Sequence, residues 1–299
     1  MPSTKRYAPE REREPMPRKT APPTIHQRRL GAELRRLRES VDLSATQAGA
    51  LHGTSQPRVS SIEAGTYAVG ADRVRAMARS YSCTDEAYIK ALTEMTGGRV
   101  RGWWDEYRNL LSPDNLDLAE VEHHSTSIRT SAMGHLPGLL QTRAYAHAVI
   151  SDVVPPFAPH EVEHRVSFRI KRQVTLYGEN PKPLTTILHE VALHMGFGGP
   201  DVTRAQLKHL LEVSELEHVT ILVIPFGAGT YPSAGTGIYY MAGAVPALDT
   251  VQLDTDHGLT FLNTQPQLAM YRTILDHVER CSLKPSESRD LIRRVAADL

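Results

Sequence analysis

Two cysteines in 299 residues, Cys83 and Cys281, lie far apart and form no Cys-x-x-Cys pair. A disulfide framework or a zinc knuckle is therefore not expected, and reduced, inert thiols are. No run approaches the ~20 consecutive apolar residues that a bilayer-spanning helix needs, so no membrane association is expected. The opening stretch MPSTKRYAPEREREPMPRKTAPP lacks the apolar segment of a secretory signal, which makes the cytoplasm the expected location. Net charge is missing as well, with 34 Lys and Arg against 34 Asp and Glu. Lysine is scarce, at seven of those 34 basic residues, but the preference for arginine has no functional meaning by itself.

The zero net charge conceals an asymmetry. Residues 1–82 hold 15 Lys and Arg against 8 Asp and Glu, which leaves 19 against 26 for residues 83–299. A basic head on an acidic body suggests that the head meets a polyanion. A basic tail without any partner would give the same charge, so pattern has to decide. The length fits two domains, and 40% apolar residues suffice for a core.

Residues 1–24 are Pro-rich, charged and aperiodic, which reads as a disordered basic arm. Its Lys5, Arg6, Arg11, Arg13, Arg18 and Lys19 suit either a solvated leader or an arm laid into a minor groove. From Gln27 a helical period begins, with Leu30, Leu34, Leu37 and Val41 on one face and Arg28, Arg29, Arg35 and Arg36 on others. Ser44 is placed to cap a second helix, which ends before the turn at Gly53. A third helix follows through Ala64, with Pro57 in its first turn and Gly65 just past its end. Two more are expected at 71–81 and 85–95. Residues 25–98 thus form an all-α domain of five helices. Residues 99–116, with both tryptophans, read as a linker or docking helix. Residues 117–299 read as a larger α+β domain with a mixed sheet. Strands are expected near 125–133, 184–189, 219–225, 237–241, 250–253 and 259–262, and helices near 142–151, 159–177, 202–213, 266–281 and 285–297. His123 and His124 are expected on a polar face.

The second and third helices, joined by a tight glycine turn, have the form of a helix-turn-helix. In that motif the leading edge of the second element enters the major groove of DNA. Here the edge is Ser55, Gln56, Pro57 and Arg58, with Ser60 and Ser61 one turn on. A Gln such as Gln56 can pair bidentately with adenine, Arg58 suits guanine or phosphate, and the serines suit phosphates. Ser44 and Gln47, at the start of the preceding helix, are further candidate DNA contacts. Val59 and Ile62 should face the core. Arg38 and Glu63 are expected to form an ion pair tying the first helix to the third.

The body contains HEVEH at residues 160–164, a formal match to the zinc-peptidase HExxH pattern through His160, Glu161 and His164. Two imidazoles one helical turn apart can bind zinc while the glutamate acts as base. The prolines just before it place the motif at a helix start, and no third ligand is well placed. Zinc catalysis is accordingly a distant alternative. No enzyme activity, cofactor or metal is expected.

The stretch LRRLRESVDLS…GTSQPRVSSIEAG resembles the lambda-repressor/Cro-like (XRE-type) helix-turn-helix family. The match includes the leucines of the first helix, Arg38, Gly53 and the pattern from Ser55 to Gly65. The chain departs from that pattern at Ala45, where members often carry Gln, at Ser61, where Arg is common, and at His52, usually Leu. Further on, PGLLQTRAYA at 137–146, the pair Arg172–Gln173, LHEVALHMGFGGPDVTRAQLKHLLEV, VTILVIPFGAG and LKPSESRDLI occur in order. Together they resemble the large C-terminal domain of unknown function of actinobacterial antitoxin-like, WhiJ-like regulators. The resemblance implies a sequence-specific regulator of development or specialised metabolism, with double-stranded DNA, in an inverted repeat, as its partner. A homodimer is expected as well, since two heads one helical turn apart would read such a repeat, and its C-terminal domain would dimerise or take a small-molecule effector or small protein partner. An antitoxin-like adaptor that neutralises such a partner is the alternative.

Overall fold

The computed structural model describes residues 22–97, 101–232, 235–255 and 258–299. The basic side chains of the N-terminal arm, Lys5 to Lys19, lie outside the described residues. Among the described residues no helix is long and apolar enough to cross a membrane.

The head is five helices: α1 (Ile25–Glu39), α2 (Ala45–Leu51), α3 (Gln56–Glu63), α4 (Ala71–Ser80) and α5 (Glu86–Glu94). Local chemistry sets several of their ends. Thr24 and Ser44 each accept the N3 backbone N–H, while Gln27 and Gln47 reach back to the capping residue's own N–H. Leu30, Leu34 and Leu37 of α1 meet Val59 and Ile62 of α3, Val74 and Met77 of α4, and Ile89 and Leu92 of α5. The period of three and four therefore points at a real core. The contact of α1 with α3 is close enough to exclude a side chain. A Cβ on Gly31 would lie 2.4 Å from the Glu63 carbonyl oxygen and 2.6 Å from that of Ile62. Gly65 meets two demands, a φ of +71° and a backbone approach in which a Cβ would stand 2.8 Å from the Gln27 carbonyl.

A 3₁₀ turn, Trp103–Tyr107, leads into α6 (Pro113–His124). The body continues with β1 (Ser127–Ala132), α7 (Arg143–Ser151), α8 (Pro159–Arg172), α9 (Val174–Tyr177), β2 (Leu184–His189), α10 (Val191–His194), α11 (Pro200–Val213) and β3 (Val219–Ile224). It closes with β4 (Ile238–Ala242), β5 (Thr250–Thr255), β6 (Gly258–Leu262), α12 (Gln265–Arg280) and α13 (Pro285–Ala297). The six strands form one mixed sheet in the order β3-β2-β1-β4-β5-β6. β1, β2 and β3 run parallel, and β4, β5 and β6 join antiparallel to their neighbours.

Both faces of the sheet are covered, and the period-two alternation of the strands distributes the core. Ile221 and Val223 of β3, with Tyr239 and Met241 of β4, face Leu207 and Leu210 of α11 and Leu291 and Ile292 of α13. Leu222 and Ile224 face Val278, while Ile238 and Tyr240 face Leu268 and Leu275, so α12 covers the other side. Trp104 and Tyr107 bury against Ala119 and Phe168, so the tryptophan turn docks on α6 and α8. Two expectations need correction. The segment read as a linker or docking helix up to 116 overlaps a helix, α6, that runs on to His124. His124 is not on a polar face but half-buried, its ring stacked on His26 of α1 at 4.1 Å.

Candidate nucleic-acid interface

The helix-turn-helix is α2, the turn at Gly53 and α3. Ser55 caps α3 through its backbone and makes no side-chain capping bond. Val59 (0% exposed) and Ile62 (2%) fasten the helix from behind. Ser55, Gln56, Pro57, Arg58 and Ser60 are all exposed, with the whole body present, while Ser61 is half-buried. Gln56 Nε2 donates to Ser60 Oγ at 2.9 Å, which leaves the amide oxygen of Gln56 open. The Ser61 hydroxyl bonds back to the Pro57 carbonyl at 2.9 Å and so serves its own helix first. Ser44 and Gln47 are exposed, but each holds the other's backbone N–H in the cap of α2, at 3.2 and 2.8 Å. Both side-chain oxygens are engaged as acceptors, which leaves the Ser44 O–H and the Gln47 amide NH₂ as the donors of the pair.

Arg58 has a neighbour that the motif alone does not reveal. Its guanidinium lies 3.7 Å from the centre of the Tyr67 ring, a stacked cation–π geometry that holds the long side chain in one orientation. Tyr67 is itself 46% exposed and belongs to the turn after α3. An exposed aromatic two residues beyond the terminating glycine was the available signal. Behind this face Arg38 and Glu63 pair in fork geometry, with Nε to Oε1 at 2.6 Å and Nη2 to Oε2 at 2.9 Å. Both side chains are largely covered, and Arg38 also donates to the Leu43 carbonyl. The hydrogen bond to Glu63 dominates in holding the Arg38 pKa above its usual value. The pair fixes α3 against α1 and touches no reading residue.

A second set of residues fastens the head to the body. Arg29, on a face of α1 other than that of the leucines, is buried. It pairs with Glu33 at 2.8 Å and donates to the carbonyls of Ala247 (2.8 Å) and Asp249 (3.1 Å) and to Thr250 Oγ1 (3.4 Å). The body covers that face of α1. Arg28 pairs with Asp117 of α6 at 2.5 Å. Glu33 also accepts from Tyr88 Oη at 2.6 Å and from Arg36 Nε at 2.8 Å, which joins α5 to the same buried network. Burial lowers the pKa of His26 to about 4 and of His124 to about 3, with neighbouring His rings adding to both shifts. The stack is therefore neutral at pH 7. Between head and body lies a cavity of about 390 Å³ whose apolar walls include Ile25, Ala32, Met95, Met241, Leu248 and Phe261.

The HEVEH residues do not assemble a zinc site among the described residues, where no cluster of three or more candidate ligands occurs. His160 and His164 sit edge to face with ring centres 6.0 Å apart. Glu161 accepts the Ala158 backbone N–H at 2.9 Å and so caps α8.

A helix-turn-helix domain model matches residues 29–88, the same helices that carry the exposed edge of α3. The model of a domain of unknown function, DUF5753, matches residues 116–294, from within α6 to within α13. No curated protein and no solved structure matches the chain. Since the second match takes in more than half of the residues, the chain belongs to the DUF5753 family, with a helix-turn-helix domain of the kind found in DNA-binding regulators ahead of it.

Proposed function

We propose that this protein is a sequence-specific transcriptional regulator that works in the cytoplasm. The observation that carries the reading is the state of α3. Its leading edge of Ser55, Gln56, Pro57, Arg58 and Ser60 is open to solvent, while Val59, Ile62 and the Arg38–Glu63 pair hold it rigid. A rigid helix with a clear polar edge is what major-groove readout requires. Gln56 and Arg58 supply the base-directed groups. Ser55, Ser60, Ser61, Ser44 and Gln47 supply backbone contacts of shorter reach. The body serves as the dimerisation and sensing unit, so that two heads one helical turn apart read an inverted repeat. The WhiJ-like resemblance favours control of development or specialised metabolism.

The test is a mobility-shift titration on operator fragments selected by genome-wide occupancy. A good base contact contributes about 1–3 kcal/mol, so the double variant Gln56→Ala/Arg58→Ala is expected to weaken specific binding by at least ~30-fold. Binding unchanged in that variant would refute the assignment of α3. Sedimentation of the full chain should show a dimer, and a monomer on the operator would remove the inverted-repeat reading.

A further inference from the structure

A polar cavity of about 340 Å³ opens at the C-terminal end of β1, remote from the exposed edge of α3. The sheet order reverses there: β2 and β3 continue to one side of β1, and β4 to β6 to the other. The crevice beyond the carboxyl end of a parallel strand is a habitual ligand site where connections diverge, and here the amino end of antiparallel β4 adjoins that end of β1. α8 lends two arginines to the wall, and their circumstances differ. Arg172 is fully neutralised: Glu122 accepts from its Nε at 2.9 Å and from its Nη2 at 2.5 Å, and Tyr239 Oη donates to the same carboxylate at 2.7 Å.

Arg169, one turn earlier, has no carboxylate within ion-pair distance among the described residues. It donates from Nη1 to the side-chain oxygen of Gln141 at 2.9 Å. Gln141 is fully buried and is held in turn by the Leu136 carbonyl at 2.6 Å, so a neutral, immobile amide aims the guanidinium. Burial, with Arg172 next and against the opposing charge of Asp254, pushes the Arg169 pKa down to about 10, and the group is still charged at neutral pH. A partly buried guanidinium without a direct ionic partner costs stability, and such a group is characteristic of a site shaped for a ligand rather than for the fold.

We propose that this cavity binds a small organic carboxylate, gripped by the guanidinium fork of Arg169. The rest of the lining narrows the ligand. His135 has a lowered pKa, through burial first and Arg169 second, so it is a neutral hydrogen-bonding group and not a second cation. Asp254 lines the same cavity, is exposed, and is held by Gln252 Nε2 at 2.9 Å. Among the described lining residues, one guanidinium outside any ion pair and one exposed carboxylate suit a monoanion and repel a phosphate dianion. α6 lies between this cavity and the head. Its Leu118 lines the cavity and its Glu122 pairs with Arg172, while its Asp117 and His124 meet Arg28 and His26 of α1. A bound carboxylate that repositions α6 would act as an effector, a role that rests on the DNA-binding reading above. Carboxylate binding itself does not rest on it.

Calorimetric titration of the full chain with benzoate and with phenyl phosphate, matched in their rings, tests the site. Benzoate should bind with a Kd in the millimolar range, about what a fragment of this size can reach, and phenyl phosphate at least 10-fold more weakly. R169M should abolish benzoate binding without lowering the Tm. D254N, at an exposed position and still able to accept from Gln252, should narrow the gap between the two probes at least threefold. No heat with benzoate, equal binding by R169M, or an unchanged ratio in D254N would each overturn the carboxylate site. The mobility shift is then repeated with benzoate at saturation, where a change of threefold or more in operator affinity supports the effector role. Unchanged affinity overturns that role alone. Loss of all specific DNA binding with benzoate binding intact would refute the regulator and leave the site standing.

Discussion

The junction between head and body should weaken in acid, and the stacked histidines set the direction and size of the effect. In the folded chain His26 titrates near 4 and His124 near 3, against 6.5 for a free histidine. Burial is the main cause in each, and His123, His26 and Lys182 contribute charge repulsion. The folded pKa values lie below the unfolded ones, so between those limits the unfolded chain binds more protons and folding stability rises with pH. The stability is fully present above about pH 6.5 and is lost progressively as the pH falls towards 4 and then 3. At pH 5 both rings are neutral when folded and charged when unfolded, which costs at most about 2 kcal/mol for each. The rings are partly solvated and each affects the other, so about 1–3 kcal/mol for the pair is the reasonable sum. For a body of this size that is a fall in Tm of about 3–10 °C. Trp103 and Trp104, the two tryptophans of the chain, adjoin this region, with Trp104 5.1 Å from the His123 ring. Their fluorescence can follow unfolding at pH 7.5 and 5.0 in the wild type and in His26→Phe/His124→Phe, which keeps the stack without its titration. The variant should lose clearly less stability on acidification. Equal losses in the two proteins would show that the stack carries none of the proton linkage.

Three further outcomes follow from particular contacts. Gly31→Ala would drive a methyl group into the carbonyls of Glu63 and Ile62. An overpacking cost of about 1–3 kcal/mol or more should appear as early melting of the head helices by hydrogen exchange, with the sheet of the body unaffected. Arg38→Met leaves Glu63 buried without its partner, and a loss of about 3–5 kcal/mol is expected in urea titration. The double change Arg38→Met/Glu63→Leu should recover most of that loss, and failure to recover any would mean that the pair is not what couples α1 to α3. Tyr67→Leu removes the ring that orients Arg58. Operator affinity should fall about two- to fivefold, in line with a contact worth about 0.5–1 kcal/mol at an exposed site, while thermal stability stays within a degree or two.

Much of this molecule was legible in its residues. The leucines of α1, the cap Ser44 ahead of α2 and the glycine after α3 each express a local rule of helix start, period or stop. The five head helices consequently fall close to where those rules place them. The strands of the body were legible for the same reason, since Val219–Ile224 and Leu184–His189 are β-branched, apolar and bounded by turns. α6 was not foreseen as a helix through His124. Its buried set includes Asp117, Glu120 and Glu122 beside Leu118 and Ala119, so charge interrupts the apolar period that would have announced it. A carboxylate reads as surface unless its cationic partner is known to lie opposite, and Arg172 stands 50 residues from Glu122 in the chain.

The amino-acid order by itself fixed the helix-turn-helix, the edge of α3 from Ser55 to Arg58, and the division into a basic helical head and an acidic α+β body, because periodicity, capping and turn chemistry act over a few residues. Only the tertiary structure decided that Arg29 fastens the head to the body, that His26 meets His124, and that Arg169, among the described residues, lacks the ion pair its neighbour Arg172 makes. Those facts depend on which distant groups share a small volume of low polarity, where an ionic or imidazole partner changes the energy most.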